Sequence, residues 1–228
     1  MSDPARAVVG LREVRARIAR ACERAGREPS SVRLIAVSKR HTPEAMRAAY
    51  AEGQREFGEN YVQELVQKAE ALRDLPELRM HAIGRLQRNK VKDLLRVADR
   101  LHSVDSVDSL RLAESLAERA AEAGRVLSLL VQVNVAGEAQ KGGVREAELP
   151  ALVAAIRGWP GVTLDGLMVI PPDVEPEGRR PHFRRLRELA QQHGLRELSM
   201  GMSDDLETAI EEGATQVRIG TAIFGERD

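Results

Sequence analysis

Cysteine is almost missing from this chain. Cys22 is the only one among 228 residues, so no internal disulfide can form and a cysteine-based zinc site is excluded. An excess of either charge is missing too. Lys plus Arg equals Asp plus Glu at 35 each, so no overall field favours nucleic acid or an anionic membrane. No uncharged stretch approaches the length that spans a bilayer. Met1 to Arg20 mixes charges throughout and has no apolar core of signal-peptide length. A cytoplasmic, reducing setting is expected, with no membrane or nucleic-acid partner.

Short apolar runs alternating with amphipathic stretches fill the sequence. Ala5 to Arg24 reads as an opening helix, with Val8, Leu11, Val14, Ile18 and Cys22 on one face and Gly26 at its end. Eight strands are expected after it, at Arg33–Val37, Arg55–Phe57, Met80–Ile83, Arg100–Ser103, Val126–Val133, Thr163–Met168, Arg196–Met200 and Gln216–Ile219. A helical pattern separates each pair, clearest in Leu110, Ala113, Leu116, Ala117 and Ala120 and in Leu149, Leu152, Val153 and Ile156. Gly53, Gly124, Gly194 and Gly213 stand just before strands, where helices stop. The proline-rich stretch from Pro171 to Pro181 reads as the loop after strand six, and 137–143 as a glycine-rich flexible loop. Eight β/α units with nothing left over predict one α/β domain over 1–228, a (β/α)8 TIM barrel with an extra N-terminal helix. A lone barrel is expected to be a monomer.

Lys39 is the most informative residue. It stands where the apolar run Val32 to Ser38 meets Thr42-Pro43-Glu44, a helix start with Thr42 suited to the cap and Pro43 to the first turn. The mouth of a β/α fold binds small molecules, and an amine held in a drier setting there can condense with an aldehyde. A solvated strand end is the plainer alternative. Two later segments look built for phosphate. Ser199-Met200-Gly201-Met202-Ser203-Asp204-Asp205 joins strand seven to a helix, and Val217-Arg218-Ile219-Gly220-Thr221 ends strand eight before another helical turn. Barrels often hold phosphate between these two loops, although Ser203 could equally be a simple cap. Asn60 suits either a hydrogen bond to a ring substituent or a helix cap. Arg218 suits either an interior ion pair or a donor to a ligand ring. Gly84 to Lys92 is a basic cluster without interleaved aromatics, better read as a solvated rim than as a nucleic-acid site. His81 and His102 are expected as core histidines, with no partner at metal-ligand spacing.

A lysine after strand one, phosphate loops after strands seven and eight and an arginine in strand eight suit pyridoxal 5′-phosphate (PLP). The stretches Ala36 to Lys39, Phe57 to Glu64, His81 to Lys90, Ser103 to Ser106, Gly166 to Met168, Leu198 to Leu206 and Val217 to Gly225 resemble the pyridoxal phosphate homeostasis protein family, related to the barrel domain of alanine racemase. The resemblance implies an alanine racemase N-terminal-domain-like fold and PLP held by Lys39 as a Schiff base. It further implies that Ser203, Gly220 and Thr221 hold the phosphate, that Arg218 faces the pyridine nitrogen, and that Asn60 lies beside the ring. Met80, Ala82 and Arg85 depart from the family's usual aromatics and proline. Buffering or delivery of PLP, without significant turnover and with PLP-dependent apo-enzymes as recipients, is the expected role.

The alternative is a PLP-dependent racemase or decarboxylase. A racemase needs two acid–base groups. Alanine racemases take a tyrosine from an appended β-domain, for which no stretch of this sequence remains. Tyr50 and Tyr61 fall in expected helices, and Pro43 occupies the place of a phosphate-binding tyrosine. A permanently charged Arg218 also disfavours a proton on the ring nitrogen and weakens the ring as an electron sink.

Overall fold

Runs of three to seven residues largely buried on both faces do not suit a sheet's edge, and here they pair side by side until the sheet closes. The computed structural model describes residues 4–138 and 141–226, so Ala139 and Gln140 of the expected glycine-rich loop lie outside the described residues. The strands are β1 (Arg33–Val37), β2 (Glu56–Glu59), β3 (Arg79–Ala82), β4 (Leu101–Val107), β5 (Leu127–Gln132), β6 (Val162–Met168), β7 (Glu197–Ser199) and β8 (Gln216–Ile219). All are parallel and follow one another around a closed barrel in sequence order. The helices between and around them are α1 (Pro4–Arg24), α2 (Pro43–Ala51), α3 (Val62–Ala71), α4 (Val91–Leu94), α5 (Leu110–Glu122), α6 (Leu149–Arg157), α7 (Pro176–Gln192), α8 (Leu206–Glu211) and α9 (Thr221–Phe224).

All eight expected strands are present, β1 and β8 with the expected bounds. β2 begins one residue later and runs on through Gly58 and Glu59, because its outer half carries charge that hides the apolar pattern. Gly53, Gly124, Gly194 and Gly213 all take positive φ, which lets each helix turn back to the next strand. Pro181 is a correction. The loop after β6 stops at Glu175, and α7 starts on Pro176 and carries Pro181 inside its second turn. Proline there removes one helical donor, which a 17-residue helix tolerates near its start. Leu110 is a smaller correction: it opens α5 and is exposed, while Leu112 takes its place in the core.

α1 is integral to the barrel wall. Ala7, Leu11, Val14, Ile18, Ala21 and Cys22 are buried against α2, α8 and α9, and Val8 is half-buried at the edge of that face. Gly10 is forced by contact, since a Cβ there would lie 2.4 Å from the Ile223 carbonyl oxygen.

The barrel interior is polar where most are aliphatic. His81 Nε2 lies 2.7 Å from Glu56 Oε2 and Nδ1 lies 2.8 Å from Ser103 Oγ. The Ser103 hydroxyl gives its one proton to Asp105 Oδ1, so it can only accept from His81. Glu56 likewise only accepts. Both ring nitrogens therefore donate, and His81 is an imidazolium. Burial opposes that charge, but the Asp105 and Glu56 carboxylates outweigh it and raise the His81 pKa. Burial also opposes the Glu56 charge, yet the His81 bond and charge hold its carboxyl at about 2. His102, edge-on to His81 at 5.1 Å, is pushed down by burial and by the His81 charge. From Asp105 the chain continues through Ser199 Oγ, 3.2 Å from Oδ2, to Arg218 Nη1 at 2.8 Å. Charges alternate along it: Glu56, His81, Asp105, Arg218.

Leu11→Ala lowers stability by about 2–5 kcal/mol in urea unfolding, whereas a loss under about 0.5 kcal/mol would place α1 outside the cooperative unit. His81 shows two protonated ring nitrogens by NMR at pH 7. Its stabilisation is complete below about pH 6.5 and fades as pH rises through its raised folded value. That of Glu56 is complete above about pH 4.3 and fades as pH falls toward 2. A neutral His81 titrating near its ordinary value would contradict the assignment.

Candidate functional site

Strand register places the candidate residues before any side chain is considered. β1 pairs with β8 through Ile35 opposite Arg218 and Ala36 opposite Ile219. β1 pairs with β2 through Val37 opposite Gly58, and β7 meets β8 at Ser199 opposite Gln216. Lys39, Asn60, Ser203, Gly220 and Thr221 therefore leave the carboxyl ends of four consecutive strands. Together with Arg218 they line one cavity of about 230 Å3 at the barrel mouth. Sequence reasoning brought all six to the same place. It did not single out Val37, Ile83 and Ile170, which add apolar walls; a residue just past the end of β3 or β6 was the available signal.

Lys39 is half-buried, two residues beyond β1. Thr42 caps α2 as expected, its Oγ1 accepting from Ala45 N at 3.4 Å, and Pro43 fills the first turn. His41, between Lys39 and Thr42, stacks on Phe224 of α9 with ring centroids 5.0 Å apart, which ties the lysine segment to the last loop.

Asn60 is not a helix cap; that position is Tyr61, whose side chain makes no capping bond. Asn60 is instead held from behind. A Cβ on Gly84 would lie 2.3 Å from its carbonyl oxygen, so only glycine lets the β3 loop close on it. Tyr61 precedes α3 instead of lying within it, and is half-exposed.

Ser203 is not the cap of α8 either, since Asp205 holds that position. The Asp205 carboxylate accepts from Met202 N at 2.6 Å and from Arg179 Nη1 at 2.8 Å, so it is buried and neutralised away from the cavity. Gly201, at φ +98, packs where a Cβ would meet Ala209 at 2.7 Å. Ser203 Oγ faces α9 and accepts from Ala222 N at 3.4 Å, which joins the two loops that line the cavity. Gly220 lies so close to β1 that a Cβ would stand 3.2 Å from the Val37 carbonyl oxygen. The result is a shallow cradle of backbone and hydroxyl groups with no side chain at position 220. α9 is a single turn, so its dipole is small and the hydroxyls and backbone donors matter more.

Arg218 is buried, and among the described residues its guanidinium is held by a hydroxyl and a carbonyl rather than by a direct ion pair. Nη1 donates to Ser199 Oγ at 2.8 Å and Nη2 to the Val169 carbonyl at 2.9 Å. Burial lowers its pKa, and the charges of Asp105 and Asp205 oppose that fall. A planar cation at the floor, a primary amine on one side and a cradle of hydroxyl and backbone groups suit a small aromatic phosphate that carries a carbonyl. The described residues hold no cluster of metal-ligating side chains and no helix long and apolar enough to cross a membrane.

Comparison with known proteins gives the chain's family. Residues 9–228 match the family described as alanine racemase, N-terminal domain. The pyridoxal phosphate homeostasis protein of Pseudomonas aeruginosa is 48% identical over 96% of this chain and 94% of its own length. That of Aquifex aeolicus is 48% identical over 95% of this chain and 96% of its own. PipY of Synechococcus elongatus, solved with PLP bound, superposes with a TM-score of 0.79 at 41% identity, over 91% of this chain and all of that one. Alanine racemase from Corynebacterium glutamicum shares the fold at 20% identity and a TM-score of 0.71, covering all of this chain and 63% of that one. On its sequence, its barrel and these relatives, the chain belongs to the alanine racemase N-terminal-domain family and, within it, to the pyridoxal phosphate homeostasis proteins.

Proposed function

We propose that this chain holds pyridoxal 5′-phosphate at the barrel mouth and buffers or delivers it without turning over a substrate. The observation that carries this reading is the convergence of Lys39, Asn60, Ser203, Arg218, Gly220 and Thr221 on one cavity. The relative solved with PLP supports it.

The cofactor supplies an aldehyde, which a primary amine takes up with loss of water, the amine's two protons leaving on the departing oxygen. Lys39 is the amine aimed into the cavity. Ser203 Oγ, Thr221 Oγ1 and the backbone at Gly220 bind the phosphate, where a missing side chain allows close approach. Arg218, fixed by Ser199 and Val169, presents a permanent positive charge to the ring nitrogen and keeps a proton off it. Asn60 orients the ring from the β2 side, and Ile83 and Ile170 exclude water along its edges.

The carrier reading is favoured over a racemase by the cavity lining. Moving a proton on both faces of a substrate carbon needs two placed acid–base groups. Neither tyrosine supplies one: the Tyr50 hydroxyl donates to the Pro76 carbonyl, and Tyr61 is half-exposed outside the cavity. Asp204 is exposed at the rim. Relatives of nearly the same length are named homeostasis proteins. Bound reversibly at an open mouth, the cofactor can pass to free amines or to PLP-dependent apo-enzymes.

Borohydride reduction after PLP addition, followed by peptide mapping, tests this. The label is expected on Lys39 in the wild type and absent from Lys39→Ala, with neither alanine enantiomer converted to the other. Equal labelling of Lys39→Ala at another lysine would remove the basis of the proposal.

A further inference from the structure

A buried charged cluster behind Lys39 has no part in the cofactor contacts above. Lys68, on α3, and Glu59, at the end of β2, are 4% and 1% exposed. The Lys68 ammonium has three protons and spends all of them nearby: on the Ser38 carbonyl at 2.6 Å, Glu59 Oε1 at 2.7 Å and Glu64 Oε1 at 2.8 Å. Ser38 Oγ also donates to Glu59 Oε1, at 2.7 Å. Glu64 Oε1 accepts from the backbone N–H of Arg40 as well.

These bonds converge on one residue. The Ser38 carbonyl belongs to the peptide group before the Lys39 Cα, and the Arg40 N–H to the peptide group after it. One ammonium–carboxylate cluster therefore holds both planes that define φ and ψ of Lys39. Arg40 itself sits at φ +63, a region that side-chain-bearing residues seldom occupy, and its N–H is the atom that Glu64 binds.

Stability alone gives little reason for such a cluster. Buried ion pairs often contribute no more than apolar side chains of similar volume, because desolvation consumes the Coulombic gain. Glu59 shows that cost: burial raises its pKa, Lys68 offsets this only in part, and among the described residues its Oε2 has no hydrogen-bond partner. Position is what the cluster delivers.

We propose that Lys68, with Glu59 and Glu64, is a positioning device that fixes the backbone of Lys39 and so sets the line along which its amine meets the aldehyde. The proposal rests on the reading of Lys39 as the amine that takes up PLP. None of the three side chains lines the cavity, so their effect passes through Lys39.

The test compares PLP with pyridoxine 5′-phosphate, which has the same ring and phosphate but an alcohol in place of the aldehyde. Lys68→Met keeps the aliphatic stem and removes the donors; Glu64→Ala frees the Arg40 N–H and serves if Lys68→Met does not fold. Each variant is expected to bind PLP about tenfold more weakly and to give less borohydride-trapped product, while pyridoxine 5′-phosphate affinity stays within about twofold. Glu64→Gln, which keeps an acceptor for the Arg40 N–H, is expected to recover most of what Glu64→Ala loses. Equal loss of both ligands would make the cluster merely structural, and unchanged PLP binding in both variants would also overturn the proposal. A wild type that binds PLP without trapping at Lys39 would overturn the reading of Lys39 itself, and the positioning role with it.

Discussion

Closure of the barrel between its first and last strands is the constraint on which the rest depends. Parallel pairing of β1 with β8 sets Ile35 beside Arg218 and Ala36 beside Ile219. Lys39 and Gly220 lie 181 positions apart in the chain, yet they emerge from neighbouring strands. A slip of one residue in that pairing would turn Arg218 outward and carry the lysine segment away from the cradle. Val37 carries the fit further, because a Cβ at position 220 would stand only 3.2 Å from its carbonyl oxygen, a tight contact that glycine avoids.

The interior of the barrel does a second task. An aliphatic core would hold the strands together, but it could not fix the head of a buried arginine. Alternating charges from Glu56 through His81 and Asp105 to Arg218 let each member neutralise the next, and serine hydroxyls bridge the gaps. The cation beneath the cavity is thereby locked in orientation before any ligand arrives, and preorganisation of this kind lowers the cost of binding. Lys68, Glu59 and Glu64 hold the lysine segment from behind. The amine and the arginine thus rest on separate buried polar networks.

Much of this was legible in the sequence, and what was not has identifiable causes. β1 was read with its bounds because a continuous apolar run meets a clear helix start, and β8 because its short run lies between Gly213 and Gly220, which mark the turns on either side. The six candidate residues lie next to such ends, so their convergence followed from fold class alone. Pro181 was misplaced because a proline early in a long helix looks the same in sequence as one in a loop. Asn60 and Ser203 read as possible caps, but the true cap positions fell one and two residues later. The Lys68 cluster was invisible for another reason. Glu64 and Lys68 form an ordinary i,i+4 surface pair by spacing, and only the barrel brings Glu59 and the Ser38 carbonyl to the same ammonium. Glu59 beside Phe57 and Gly58 was the available hint, since a carboxylate inside a buried strand needs a partner.

The most direct measurement is a crystal structure of the chain soaked with pyridoxal 5′-phosphate. Continuous density from the aldehyde carbon to Lys39 Nζ, with the phosphate against Ser203, Gly220 and Thr221 and the ring nitrogen toward Arg218, is the expected result. A cofactor bound elsewhere on the barrel, or seated at the mouth with no bond to that nitrogen, would contradict it.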